Sequence, residues 1–375
     1  MDIQALHDTW NIKSQYVFAD EFTGYEDLYP QLDKYTKEVY DADPQATIDN
    51  VFTLYRNRAI VPIIYYTERG LLEAINGFRS SGYNGVKVDV LGLGNNKGQR
   101  INRFMFPNMM TAEPKGRGSN SLKDRFFDDK KLKRAIRICF EFRQGDRLVY
   151  PNLIRTALEL VTGENIQNFK PQNARAIAEH LCPVLFGNVY DYSAGYGGRL
   201  LGITSSNMRF DYTAVEPNTE TVTYLNYLNT IIQEAIGGKG TIVQNVSEDY
   251  QPENVDLAFS SPPYFNLEKY SNESTQCMVR YKTLDEWFEG YVAPTMANIK
   301  RGLNSDGIFA TNISDYKTTK GDFKVVDRWI ETAEKQGFKY DGVIKMMLNT
   351  RPGVGNDRLE KHSKWEGVYV FTNKN

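Results

Sequence analysis

The run Val255-Asp256-Leu257-Ala258-Phe259 ends, two serines later, in Pro262-Pro263. Proline has no N–H to give a sheet ladder and holds its φ fixed, so a buried strand through Leu257–Phe259 has to stop at this pair. Ser261 stands before the prolines, and Tyr264 and Phe265 stand after them. A short strand that stops in a rigid corner, polar and then aromatic, is suited to holding something at the carboxyl edge of a sheet. In open α/β sheets that edge is where ligands bind.

The surrounding sequence predicts such a sheet. Val189-Tyr190 reads as a strand, Asp191 to Gly198 as a glycine-rich turn, and Leu200 onward as a helix. Thr213–Asn218 and Gly240–Asn245 are further strands, followed by the stretch at Leu257. An amphipathic helix over Trp287–Leu303, a strand over Gly307–Ser314 and a helix over Phe323–Gln336 continue the alternation. Gly342–Leu348 and Glu366–Thr372 close it as an antiparallel pair. Strand and helix alternating in this way predict an α/β fold with a mostly parallel sheet. The expected division is an amino-terminal α+β extension over residues 1–150 and a sheet domain over 151–375.

Charge and cysteine usage narrow the functional classes. The formal charge is −2, so no global basic field advertises nucleic acid. Lys115 to Arg147 is the local exception, with eleven Lys/Arg against five Asp/Glu, interleaved with Phe126, Phe127, Phe140 and Phe142. Lys130, Lys131, Lys133 and Arg134 lie there as candidate phosphate contacts, with a solvated helix face as the alternative. The three cysteines and three histidines are scattered, which gives no metal spacing and fits a reducing cytoplasm. No long apolar run predicts a membrane span. Gly92-Leu-Gly94-Asn-Asn-Lys-Gly98 lacks the spacing of a phosphate loop and reads as a plain loop.

The corner carries a chemical reading. The Ser261 hydroxyl and the Pro262 carbonyl, held by Pro263, can both accept from one exocyclic NH2 of a base. Such an amine is a weak nucleophile, because its lone pair is delocalised into the ring, and two acceptors draw it toward tetrahedral geometry. Tyr264 or Phe265 can stack on a base held out of its helix. The turn offers close backbone approach at Gly195, Gly197 and Gly198. Glu216, about twenty residues on, is placed to take ribose hydroxyls. Asn218 is either a ribose contact or the cap of the next helix. Arg199 suits a salt bridge better than a phosphate.

Ser261-Pro262-Pro263-Tyr264 resembles the Asp/Asn/Ser-Pro-Pro-Tyr/Phe motif of S-adenosylmethionine-dependent amino-methyltransferases of DNA. Asp191-Tyr-Ser193-Ala-Gly195-Tyr-Gly197-Gly198 resembles their first cofactor motif, and Phe169-Lys170-Pro171 resembles the segment under the methionine part of the cofactor. The resemblance covers about residues 151–375. It implies a Rossmann-like seven-stranded methyltransferase sheet and S-adenosyl-L-methionine held by Phe169, Pro171, Asp191, Ser193, Gly195, Gly197, Gly198, Glu216, Asn218 and Asn245. It also implies catalysis at the corner, with Phe265 and the basic stretch on the substrate side. Asn245 departs from the usual Asp at its position. Serine at the corner leans toward N4 of cytosine over N6 of adenine, and the general look is that of bacterial and bacteriophage methylases, as in restriction-modification. No large recognition domain follows the corner, so residues 1–150 are the expected place for target contact. RNA or another planar amine as substrate, and a binding module without turnover, are the alternatives.

Overall fold

The computed structural model describes residues 28–58, 60–62, 66–81, 90–91, 96–114, 121–143, 145–162, 165–318, 321–347 and 365–373. Gly92–Gly94 and the start of the basic stretch at Lys115 lie outside these. The chain forms two compact units, one of residues 1–71 and 103–167, the other of 72–102 and 168–375. The helix Pro151–Thr162 goes with the amino-terminal unit because its apolar face, Ile154, Ala157 and Leu158, belongs to that unit's core.

The amino-terminal unit is helical among its described residues apart from the two-residue stretch Glu113–Pro114, where an α+β extension was expected. Asp43 ends the helix Lys37–Ala42 and starts Pro44–Asn57, its side chain accepting from the Ala46 N–H at 3.0 Å with Pro44 in the first turn. Asp128 repeats the device between Leu122–Phe127 and Asp129–Phe142, capping the Lys131 N–H at 3.0 Å. Asp129–Phe142 buries Leu132, Ala135, Ile136, Cys139 and Phe140 on one face, the period expected of an amphipathic helix. Two of the aromatics that the sequence interleaves with the basic residues, Phe126 and Phe140, are thus core residues.

The second unit is built on a sheet of eight strands: β1 Val90–Leu91, β2 Phe186–Asp191, β3 Arg209–Val215, β4 Gly240–Val243, β5 Val255–Ser260, β6 Leu303–Ile313, β7 Lys339–Met347 and β8 Trp365–Thr372. Their order across the sheet is β1-β7-β8-β6-β5-β2-β3-β4. β2 pairs in parallel with both β3 and β5, β5 with β6, and β3 with β4. β8 is antiparallel to both of its neighbours, β6 and β7. Seven strands in this order form the Rossmann-like, doubly wound sheet, with its last strand inserted between the fifth and sixth. The eighth, β1, adds two residues to the edge in parallel with β7, a pairing that no local signal announces. The order reverses at β2, so the crevice between β2 and β5 is the topological switch point.

The helix over 287–303 comes as Leu284–Trp287, a π-helical turn at Phe288–Val292, and Ala293–Gly302. Pro294 lacks the N–H of a regular turn, which favours this wider one. It buries Trp287, Phe288, Tyr291 and Met296 in a core shared with Phe309, Trp329 and Phe371.

Candidate active site

The sheet brings the glycine turn and the proline corner together at the switch point, and Asp191 joins them. Asp191 ends β2 and is fully buried. One carboxylate oxygen accepts from the Ser260 hydroxyl at 2.6 Å and from the Ser193 N–H at 3.2 Å. The other accepts from Arg199 Nε at 2.7 Å and the Tyr212 hydroxyl at 2.6 Å. Arg199, itself buried, also donates to the Ser193 carbonyl. Four donors from this chain occupy Asp191, so it organises the turn and does not face a ligand. Arg199 forms the salt bridge that its place in the first turn of a helix suggested.

The turn bends through the left-handed region at Gly195 (φ 55°) and Gly197 (φ 69°), which glycine enters without cost. A Cβ on Gly198 would run into the carbonyl of Phe169, so this glycine lets the 168–170 segment lie against the turn. Asn168 holds it there by donating to the Tyr196 carbonyl at 3.0 Å, and Asn102 donates to the same carbonyl at 2.8 Å. The Phe169 ring stacks edge-on to Phe259 of β5, and the Arg199 guanidinium lies over it. Pro171 then opens the helix Pro171–Leu181. The 168–170 segment therefore lies beside the turn, with Pro171 opening the next helix.

Glu216 follows β3 and is 9% exposed. Among the described residues its carboxylate accepts two backbone N–H groups, Gly195 at 2.9 Å and Asn218 at 3.0 Å. Burial pushes its pKa up to about 7, against the pull of these two bonds. Asn218 caps the helix Thr219–Ile236 through the Thr221 N–H at 2.7 Å, the second of its two readings. Asn245 turns its side chain onto the next N–H, Val246, at 2.8 Å. Ser193 shares a 3.0 Å hydrogen bond with Tyr291 of the π-helical turn.

At the corner, Pro262 is buried, while Ser261, Pro263 and Tyr264 are half-buried. No hydrogen bond among the described residues engages the Ser261 hydroxyl. Tyr264 is pinned: its hydroxyl accepts the Ser314 N–H at 3.0 Å, and its ring stands edge-on to Tyr316 at 5.0 Å. Phe265 corrects an expectation. It is buried against Phe323 with ring centroids 6.0 Å apart, so it belongs to the core and cannot stack on a base. A little farther on, Glu268 opens the two-residue strand Glu268–Lys269; burial raises its pKa to about 7, and the Tyr270 hydroxyl donates to it. Glu366 on β8 is raised by burial too. Nothing in the local sequence marks either acid.

In the other unit, Lys130 and Arg134 are exposed on the outer face of their helix. Lys133 pairs with Asp49 at 2.7 Å and Lys131 with Asp128 at 3.5 Å. Two of the four basic residues are thus partly neutralised by neighbours.

No family model and no curated protein matches this sequence. Solved structures do. A methyltransferase from Pyrococcus furiosus is 14% identical over 59% of this chain and 94% of its own, with a TM-score of 0.37. A precorrin-6y C5,15-methyltransferase from Geobacter metallireducens is 14% identical over 54% and 89%, at 0.36. A TehB-like S-adenosylmethionine-dependent methyltransferase from Corynebacterium glutamicum is 16% identical over 59% and 95%, at 0.34. Likeness at this level assigns no residue roles to this chain. Among the described residues no helix is long and apolar enough to cross a membrane, and no group of three or more His, Cys, Asp or Glu is placed to hold a metal ion.

Proposed function

We propose that this chain transfers a methyl group from S-adenosyl-L-methionine to an exocyclic amine of a nucleic-acid base, in DNA and at N4 of cytosine ahead of N6 of adenine. One observation carries the reading. The Ser-Pro-Pro-Tyr corner and the glycine turn meet at the sheet's switch point, tied by the Ser260–Asp191 hydrogen bond at 2.6 Å, with an unengaged serine hydroxyl beside the prolines.

The residues fit the cofactor. At Gly195 the backbone is bare, and an added Cβ would meet nothing nearer than the Ser193 carbonyl at 3.9 Å. Glu216 keeps lone pairs beyond its two backbone bonds, the acceptors that a ribose diol needs. When bound, S-adenosylmethionine supplies a methyl group on a positively charged sulfur. The chain's own part is positioning. Ser261 and Pro262 would accept hydrogen bonds from the two N–H groups of the amine and free the nitrogen lone pair for attack; the methylated nitrogen then releases one of these protons to water. These acceptors gain strength as positive charge develops on nitrogen. Tyr264, its ring orientation fixed by Ser314, flanks the extruded base. The enclosed Asp191 holds turn and corner at a constant separation.

The test is to incubate the full chain with labelled S-adenosylmethionine and DNA or RNA, digest to nucleosides, and identify the methylated one. Ser261→Ala should lower the single-turnover rate by about 10²-fold, with cofactor affinity unchanged. A variant as fast as the parent would make the corner structural and remove the centre of this reading. For the nucleic-acid contact, reversing Lys130 and Arg134 should flatten the salt dependence of DNA binding. Each lost phosphate contact should reduce the slope by about 0.9 on duplex DNA. An unaltered slope would leave that helix face merely solvated.

A further inference from the structure

Two neighbours hold the aromatic ring of the corner, and they do different things. The Tyr264 hydroxyl accepts the Ser314 N–H at 3.0 Å and shares a 3.1 Å hydrogen bond with the Ser314 hydroxyl. A tyrosine hydroxyl oxygen lies on the Cβ–Cγ axis, about which χ2 turns. A bond to that oxygen fixes the direction of the ring and leaves the tilt of its plane to be set by other contacts. Among the described residues one aromatic ring stands against Tyr264, that of Tyr316, with centroids 5.0 Å apart and planes 85° from each other. Edge-on is a favoured arrangement of an aromatic pair, so this contact selects one tilt.

Tyr316 is itself fixed from several sides. It begins the strand Tyr316–Thr318, which pairs antiparallel with Gly321–Phe323 just after β6. Its cross-strand partner Phe323 stacks on it, with centroids 5.1 Å apart and planes 10° from each other. Phe323 in turn packs on the buried Phe265. The Tyr316 hydroxyl donates at 3.3 Å to Oδ1 of Asn266, two residues beyond Tyr264. Asp315 closes the base of this ribbon. Its carboxylate takes the Val325 and Val326 N–H groups at 2.9 and 3.1 Å and Lys324 Nζ at 3.0 Å. Burial differs along the row of rings. Phe265 is buried, whereas Tyr264, Tyr316 and Phe323 are half-buried. These three follow the carboxyl ends of β5 and β6, the edge at which a ligand meets an open sheet.

We propose that Tyr316 is a positioning residue for the corner: it sets the plane of the Tyr264 ring, so that this ring lies flat against an incoming base. The inference rests on the reading of Tyr264 given above. Ser314 supplies the pivot, and Phe323 and Asn266 keep Tyr316 in place. A ring whose plane is already set gives up no further freedom when the base arrives, and the base is held in one orientation.

Carbon NMR on the full chain, with tyrosine labelled at both ε carbons, tests the hold on Tyr264 without a substrate. The Tyr264 signals are those that Tyr264→Phe removes. A ring of fixed plane shows its two ε carbons as separate lines, and a turning ring shows one averaged line. The parent and Tyr316→Phe should show separate lines, and Tyr316→Leu one. An averaged line in the parent, or separate lines in Tyr316→Leu, would overturn the proposal. With DNA as substrate, Tyr316→Leu should lower the single-turnover rate by about tenfold, and Tyr316→Phe, which keeps the ring, should recover most of it. In a Tyr264→Ala chain, adding Tyr316→Leu should cost nothing more, because the residue acts through that ring. An undiminished loss there would make Tyr316 a packing residue and sink the idea. If the parent methylates no nucleic acid, the function proposed above falls, while the carbon lines still decide whether Tyr316 holds the Tyr264 plane.

Discussion

β2 and β3 lie side by side, and an acid stands at the carboxyl end of each, Asp191 as the last residue of β2 and Glu216 just after β3. Asp191 and Glu216 are both buried carboxylates at the carboxyl edge of the sheet. Their surroundings part company. Asp191 has a guanidinium, two hydroxyls and a backbone N–H directed at it. Glu216 has two backbone N–H groups and no cation within bonding distance among the described residues. The first set compensates the loss of water. The second leaves a buried carboxylate underpaired, and its pKa rises to about 7. A fully partnered acid serves the fold, while an underpaired one at a crevice is available to a ligand.

The largest test of that contrast removes the Asp191 charge. Asp191→Asn strands Arg199, whose guanidinium is buried, and breaking one side of such a pair costs about 3–5 kcal/mol. Urea unfolding should show this loss, whereas Glu216→Gln should leave stability unchanged or raise it. Equal losses at both positions would erase the distinction.

Next in size is the effect on binding. Glu216→Ala removes a charge-assisted contact to the ribose hydroxyls, worth about 1.5–3 kcal/mol, or tenfold or more in the affinity for S-adenosylmethionine. Calorimetry that finds parental affinity would displace the cofactor from Glu216.

The smallest effect is on pH dependence. The folded pKa of Glu216 lies above the ordinary carboxyl value of 4.5. Between the two values the folded chain holds a proton that the unfolded chain has lost. This residue's contribution to stability therefore declines as pH climbs from about 4.5 to about 7, then levels off. Ribose hydroxyls favour the ionised form, so cofactor affinity should grow by about tenfold from pH 6 to pH 8. Glu216→Gln should make the profile flat. A slope that survives this substitution belongs to another group, and Glu268, also raised to about 7, is the first to examine.

Much of this site was legible because the chemistry that builds it is local. Pro262-Pro263 ends a strand wherever that strand lies, and Gly195 and Gly197 mark a turn through the left-handed region before any neighbour is known. The cap at Asn218 is legible for the same reason, as a side chain three residues from the N–H it accepts. Residues whose roles depend on distant partners gave no such mark. Phe265 carries the same aromatic signal as Tyr264, and only Phe323, far along the chain, decides that one ring packs inward. Phe126 and Phe140 stand among basic residues in sequence and inside a helical core in space.

The alternating strands and helices, the glycine turn and the proline corner follow from the order of residues alone, because propensity, period and proline geometry act over a few residues. Tertiary structure decided which acid is enclosed and which is left underpaired. Arg199 is eight residues from Asp191, but Tyr212 and Ser260 come from 21 and 69 residues away. It also decided that β8 enters between β6 and β7, and that two residues at 90–91 extend the sheet's edge. Burial and pairing are properties of surroundings, and surroundings exist only once the chain has closed on itself.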